Sequence, residues 1–202
     1  MRKLICGVSV CWLLAVPGLA MAQKKDAGKP SPEQMQAMMA AWQKHATPGE
    51  PHKRLAKSVG KWNAVVKMQM DPSAPPMLSK GTADFSAVFG GRFVRQAFTG
   101  SFMGQTFQGE GLMGYDNFKK QYFSTWCDNM STSIMLSWST ADDGKGGVTY
   151  VGDMDEPMTG ERGKKVKSAV RWVDDNTMVY ESWDKGGGKE WKALEITYTR
   201  AK

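Results

Sequence analysis

Cysteine and histidine are scarce in this chain of 202 residues, which holds three of the first and two of the second. Cys6 and Cys11 lie close to the N-terminus, so only Cys127 remains in the body of the chain. A domain with one cysteine has no internal disulfide, and its hydrophobic core must stabilise it alone. Both histidines, His45 and His52, precede the first predicted strand, so the sequence gives no support to a nucleophile–histidine pair within that body.

Recognisable catalytic and cofactor motifs are also missing. The sequence has no Gly-x-Ser-x-Gly elbow, and Gly186-Gly187-Gly188 lacks the Lys-Ser or Lys-Thr that would follow in a phosphate-binding loop. The 15 methionines raise the question of Cu(I), which thioethers bind well, but clustered methionines at helical spacing are typical of a packing stripe. We therefore expect no catalytic residue, no metal site and no cofactor.

Long hydrophobic runs are confined to the N-terminus. Arg2 and Lys3 precede an apolar run over residues 4–16, and Ala20-Met21-Ala22 matches a small-x-small cleavage site. This pattern predicts a signal peptide over residues 1–22, cleaved before Gln23, and a periplasmic or secreted mature protein. No later stretch reaches the length of a membrane helix, so we expect no integral membrane segment in the mature chain.

Acidic residues are outnumbered, with 27 Lys and Arg against 20 Asp and Glu. The basic residues are scattered, except for Lys164, Lys165 and Lys167, which we interpret as the outer face of a solvated strand. A nucleic-acid footprint would need a clustered basic face with stacking aromatics, so no nucleic-acid partner is expected. No pattern in the sequence indicates an oligomeric state.

Helical signals occupy the segment before residue 60. A polar arm over residues 23–30 leads to Ser31-Pro32-Glu33-Gln34, where the serine is the predicted N-cap and the glutamine completes a capping box. An apolar stripe then recurs at helical spacing, formed by Met35, Met38, Met39 and Trp42. We expect residues 31–59 to be helical and this stripe to cover apolar surface of the following domain.

A period of two begins at Trp62, where Trp62, Ala64 and Val66 share one face. Separators with turn chemistry, such as Asp116-Asn117 and Asp175-Asn176, divide the rest into roughly ten strands without crossover helices. Closing such a meander removes its exposed edges. The pattern predicts an all-β, antiparallel up-and-down barrel over residues 60–202 with an N-terminal α-helix; an open sandwich is the alternative.

A set of short motifs spreads over the chain after residue 50. They include Gly60-Lys61-Trp62, Gly90-Gly91-Arg92-Phe93, Gly109-Glu110-Gly111-Leu112-Met113-Gly114-Tyr115-Asp116 and Tyr122-Phe123-Ser124-Thr125-Trp126-Cys127-Asp128-Asn129-Met130. In this combination the chain resembles a bacterial family known as domain of unknown function 1579. The resemblance implies no activity.

A wider similarity is to lipocalin-like, calycin-type barrels, in which a Gly-x-Trp on the first strand packs against an arginine on the last. It implies a contact between Trp62 and Arg200 that closes one end of the barrel. The chain also resembles haem-carrying nitrobindin-like barrels, but it departs from them because neither histidine lies on a predicted strand.

The predicted pocket lining consists of Trp62, Arg95, Trp126, Asp128 and Asn129. Asp128 and Asn129 follow a tryptophan at a strand end, where they could bind a polar head group while the ring packs a tail. Capping of a turn is the alternative for this pair. For Trp62, closure of the barrel is the alternative.

We expect an exported barrel that binds a small apolar or amphiphilic ligand. Two alternatives stay open: an enzyme that uses carboxylates or arginine in the cavity, and a plugged barrel that binds another envelope protein. The enzyme alternative depends on the charged or polar residues within strands that also carry aromatics. Burying an ion pair inside the barrel costs free energy, so an inward pair would indicate a ligand site. These charged or polar residues are Arg95, Gln96, Glu110, Arg171, Glu181 and Glu195.

Overall fold

The structure, a computed structural model, describes residues 29–142, 146–157, 159–186 and 189–202. The predicted signal peptide and most of the polar arm lie outside the described residues. The chain divides into two units, residues 1–39 and residues 40–202, and the second contains all ten strands.

Two helices precede the strands, α1 (Pro32–Ala46) and α2 (Glu50–Ala56). The predicted capping box begins α1, because the Ser31 amide donates to the Gln34 side chain at 2.8 Å and the Gln34 amide donates to the Ser31 hydroxyl at 3.2 Å. Trp42, which lies in the same unit as the barrel, is 75% exposed. The expectation that the apolar stripe covers barrel surface therefore fails at this residue.

Ten antiparallel strands form a closed barrel in which each strand pairs with its sequence neighbours, as predicted. They are β1 (Gly60–Met68), β2 (Met77–Val88), β3 (Phe93–Phe102), β4 (Gln105–Asp116), β5 (Gln121–Asp128), β6 (Met135–Asp142), β7 (Gly147–Glu156), β8 (Glu161–Asp174), β9 (Thr177–Gly186) and β10 (Lys189–Arg200). The barrel leaves no unpaired strand edge, because β1 pairs with β10 from Trp62↔Arg200 to Met68↔Leu194.

The second strand differs from its prediction. The alternation of Phe85, Ala87 and Phe89 suggests one face, but β2 begins at Met77 and ends at Val88. Nine residues of β1 pair with it, and this ladder extends the strand well beyond its locally hydrophobic part. Phe89 lies instead in the following turn, with a φ of 51°.

Arg200 closes the barrel where the first and last strands meet. Its guanidinium lies 4.2 Å from the centroid of the Trp62 ring, as the lipocalin resemblance implies, and donates to the carbonyls of Lys57, Val59 and Asp175. A Cβ at Gly60, where φ is +128°, would lie 2.8 Å from Arg200 Nη1. The Gly-x-Trp motif therefore leaves room for the arginine and supplies the ring beneath it.

The short helix α2 closes the same end of the barrel. Leu55 is 1% exposed, and the Arg54 side chain donates to the Gly147 carbonyl at 3.0 Å, at the start of β7. The Arg54 guanidinium also lies over the rings of Tyr122 on β5 and Trp172 on β8. These partners belong to β5, β7 and β8, and α2 also contacts β3 and β4 on the other side of the barrel, so the helical segment spans the barrel end, which we call the closed end.

Replacing Arg200 with alanine should lower the free energy of unfolding by about 3 kcal/mol, because several charge-assisted hydrogen bonds and a ring contact are lost together. Chemical denaturation monitored by tryptophan fluorescence measures this change. Arg95→Ala is the matched control: its side chain is 48% exposed and pairs with Glu110 on the outer wall, so a much smaller loss is expected. Equal losses for the two variants would contradict this account of closure.

The stability of the closed end should depend on the protonation of His52. The His52 Nδ1 accepts from the Gly49 amide at 3.0 Å, and burial, with a smaller contribution from Arg92, lowers the pKa of the ring below its ordinary value. The unfolded chain therefore takes up this proton first as pH falls below about 6.5, and stability is lost from there downward.

The melting temperature should accordingly fall between about pH 7.5 and about pH 5.5, and should fall less in His52→Gln, whose amide can accept from Gly49 without taking up a proton. Carboxylates titrate in both proteins, so the difference between the two shifts isolates the histidine. A shift that is the same in both would rule out a contribution from His52.

Candidate ligand site in the barrel interior

The strand alternation gives the barrel an inner face whose two halves differ in burial. Toward the closed end, inner side chains such as Trp62, Tyr150 and Tyr198 are 1–3% exposed. Toward the opposite end, Phe98 and Ser137 are buried, but most inner side chains are half-buried; these include Phe107, Trp126, Val166, Ser182, Leu194 and Ile196. No helix or strand among residues 40–202, as far as these are described, crosses this second end. We call it the open end.

Trp126 lies on the inner face of β5, over two glycines of β4. Gly109 pairs with Asp128 and Gly111 pairs with Trp126, and a Cβ at Gly109 would collide with the indole ring. The ring stacks on Phe107 at a centroid distance of 6.4 Å and an interplanar angle of 15°. The absence of side chains at the two glycines therefore provides the space that this indole ring occupies.

Asp128 orients that indole ring. One carboxylate oxygen accepts from Trp126 Nε1 at 2.9 Å, and the other accepts from the Met130 amide at 3.0 Å. Asp128 is half-buried and shares the inner face with Trp126, as the alternation predicts. The carboxylate thus fixes an aromatic surface near the open end.

Lys164 and Asp184 form an ion pair on the inner face near the open end. The Nζ–Oδ1 distance is 2.7 Å, and the two side chains are 16% and 31% exposed. The hydrogen bond to Asp184 raises the pKa of Lys164 above its ordinary value, and Glu156 and Glu161 act in the same direction. Our interpretation of Lys164 as an outer-face residue is therefore wrong; Lys165, which is 73% exposed, does face outward.

The sequence nevertheless contains a pattern that predicts the inward direction of Lys164. Lys164 shares its parity with Val166, Ser168 and Val170, which are half-buried or buried, whereas its neighbour Lys165 does not. The cluster of lysines conceals this alternation. Asp184 carries no such signal, because its partner is apparent only once β8 and β9 are paired.

Hydroxyl groups line the middle of the interior. The Tyr180 side chain lies beside the side chains of Ser168 and Ser182, and Gln96 Nε2 donates to the Tyr198 hydroxyl at 3.1 Å. Burial raises the pKa of Tyr180 and of Tyr198 above the ordinary value, so both phenols are neutral at physiological pH. The interior thus offers neutral donors and acceptors between its aromatic surfaces.

Of the five residues predicted to line the pocket, Trp126 and Asp128 lie together near the open end. Trp62 faces inward at the closed end, where its Nε1 donates to the Ser58 carbonyl at 2.7 Å. Arg95 points outward and pairs with Glu110. Asn129 bonds to the backbone of Gln108 and Thr106 on β4, and the turn-capping alternative is seen instead at Asp128, which accepts from the Met130 amide. The ligand role of all five remains a prediction.

The other charged or polar residues of the aromatic-bearing strands lie on both the inner and the outer face of the barrel. Gln96 faces the interior, whereas Glu181 pairs with Arg171 and Lys192 on the outer wall, and Glu195 pairs with Lys67 and Lys192 there. Cys127 is exposed on the outer face of β5. Within the part of the chain that the structure describes, no three His, Cys, Asp or Glu side chains are grouped to hold a metal ion.

Three comparisons place the chain among known proteins. The profile of a family described as "Protein of unknown function (DUF1579)" matches residues 47–200. No curated protein sequence matches. The crystal structure of Rv2717c from M. tuberculosis is similar in fold, with a TM-score of 0.53 and 12% identity; the match covers 77% of this chain and all of the other. None of the helices in the described ranges is long and apolar enough to cross a membrane.

Adding a methyl group at Gly109 should displace the Trp126 ring and destabilise the protein by about 2 kcal/mol, the usual cost of overpacking. A double-mutant cycle with Trp126→Phe, read by thermal denaturation, tests this contact: the smaller ring should recover more than half of the Gly109→Ala loss. Strictly additive effects of the two substitutions would show that the glycine does not serve the indole ring.

Proposed function

This chain belongs to the DUF1579 family of proteins of unknown function, and we propose that it binds one small apolar or amphiphilic molecule inside its barrel. The observation that carries the proposal is the difference between the two halves of the interior. Side chains fill the closed half, whereas Phe107, Trp126 and Leu194 keep accessible surface in the open half. An apolar, partly solvated space with a few convergent polar groups is the usual form of a ligand site.

The side chains of the open half suit a molecule with an apolar body and a polar end. Phe107 and Trp126 provide a stacked aromatic surface for the body. The carboxylate of Asp128 and the Lys164–Asp184 pair provide hydrogen-bonding groups near the opening for the polar end. Two carboxylates and one ammonium make this region slightly acidic, which favours a neutral or cationic polar group over an anionic one.

Apolar side chains surround the open end from outside and support access by such a molecule. Met70, Leu78, Met103, Met130 and Ile134 lie in or beside the turns of this end and are 53–74% exposed. Methionine is unbranched and adapts to different shapes, so a methionine-rich rim can contact the apolar part of an entering ligand and shield it from water. These exposed apolar side chains support entry of the proposed ligand at the open end.

Export completes the proposal. The N-terminal pattern over residues 1–22 supports removal of a signal peptide before Gln23 and function in the periplasm or outside the cell. A barrel that encloses an apolar molecule would then carry or sense it in an aqueous compartment.

Native mass spectrometry of the protein purified from its own periplasm tests both parts. We expect the mass of a chain beginning at Gln23, with a stoichiometric extra mass that is released on denaturation and identifies the class of cargo. Leu194→Trp should lose this extra mass, because the larger ring occupies the open half. Thr99→Trp, which adds the same ring on the outer wall, should retain it.

Circular dichroism and melting temperature establish that both variants are folded. A wild-type protein that carries no extra mass would contradict the carrier proposal. Extra mass retained by Leu194→Trp would place the binding site elsewhere on the molecule. A released compound that differs from the compound supplied would instead support the enzyme alternative.

A further inference from the structure

The outer wall of the barrel carries a row of aromatic rings on strands β3, β5 and β6. Phe93 and Phe123 lie 6.0 Å apart between ring centroids, and Phe123 and Trp138 lie 5.5 Å apart. The two phenylalanines meet across Gly114 of β4, where a Cβ would lie 2.5 Å from Phe123 and 2.8 Å from Phe93. Outer residues of a barrel in water are normally polar, so a connected aromatic row there indicates contact with something apolar.

This row continues into the turns of the closed end. Phe89, in the β2–β3 turn, lies 6.1 Å from Phe93 and is 74% exposed. Its φ of 51° is in the left-handed region, which a bulky residue adopts only at a cost and which Asn or Gly adopts easily. Phe118, in the β4–β5 turn, is 79% exposed. Phe118 also packs edge-on against the His45 ring, at 5.4 Å between centroids. At Phe89 the fold thus holds a large apolar ring in water at a position where a small polar residue would be more stable.

Basic side chains stand among these rings. Lys119 Nζ lies 3.8 Å from the centroid of the Trp138 ring, and Lys120 and Arg92 are exposed in the same two turns. The acidic residue of the β4–β5 turn, Asp116, is engaged by the Phe118 and Lys119 amides, which lower its pKa. On the neighbouring wall Arg95 and Glu110 neutralise each other. Asp116 stays ionised, and the three bases against this one carboxylate leave a net positive charge beside the rings.

We propose that this aromatic–basic band, formed by Phe89, Phe93, Phe118, Phe123 and Trp138 with Arg92, Lys119 and Lys120, docks the protein on an anionic lipid bilayer. Exposed aromatic rings partition into the interfacial region of a bilayer, and adjacent lysine and arginine side chains are attracted to anionic head groups. The exposed turns belong to the closed end, so a docked barrel would keep its open end away from the lipid. The proposal does not depend on the ligand of the interior.

Co-sedimentation with vesicles tests the docking surface in the full mature chain. We expect binding to vesicles of phosphatidylcholine with about 30% phosphatidylglycerol, weak binding to phosphatidylcholine alone, and release by high salt. Phe89→Asn should weaken binding about tenfold without loss of stability, since asparagine tolerates the left-handed turn. Lys119→Gln should weaken it about fivefold.

The double variant Val65→Thr/Lys80→Gln is the matched control. It removes one exposed apolar side chain and one base that face each other across β1 and β2, on another part of the outer wall. Binding by this variant should equal that of the wild type. The proposal would be overturned if the wild type did not bind anionic vesicles, or if the control variant lost as much binding as Phe89→Asn and Lys119→Gln. It would also be overturned if Met103→Asn, at the open end, abolished binding while the band variants did not.

Discussion

The contact between the first and last strands is the constraint on which the rest of this structure depends. Arg200 lies over the Trp62 ring and bonds to carbonyls that precede β1 and follow β8, so one side chain joins three parts of the chain. Its reach requires the missing side chain at Gly60. Because this closure sets the register of β10 on β1, it also sets which side chains of both strands face the interior.

The number of strands explains why the interior has two different halves. A barrel of about eight strands is just wide enough to be filled by its own side chains, and this barrel, with ten strands, is wider. The helix α2 makes up the difference at one end with Leu55 and His52, which are buried. In the described part of residues 40–202, no corresponding element covers the other end, and the side chains there stay accessible.

Aromatic residues serve different purposes on the two faces of the same sheet. Trp126 and Phe107 form an aromatic surface inside, shaped by Gly109, whereas Phe123 belongs to a connected row outside, shaped by Gly114. In both places β4 has a glycine, and the missing side chain leaves room for the rings of neighbouring strands. The two surfaces are separated by one thickness of sheet, so an enclosed small molecule and an external apolar surface can be bound independently.

The sequence by itself determined the ten-stranded barrel, because a period of two, turn chemistry and the Gly60–Trp62 motif are local signals. The resemblance to lipocalin-like barrels implied the contact of Trp62 with Arg200, and the alternation placed Trp126 with Asp128 on one face. Only the tertiary structure decided what each face meets: Lys164 inside against Asp184, and Arg95 outside against Glu110. The physical reason is that alternation identifies residues that share a face, whereas strand pairing determines which face is enclosed and which residues oppose each other.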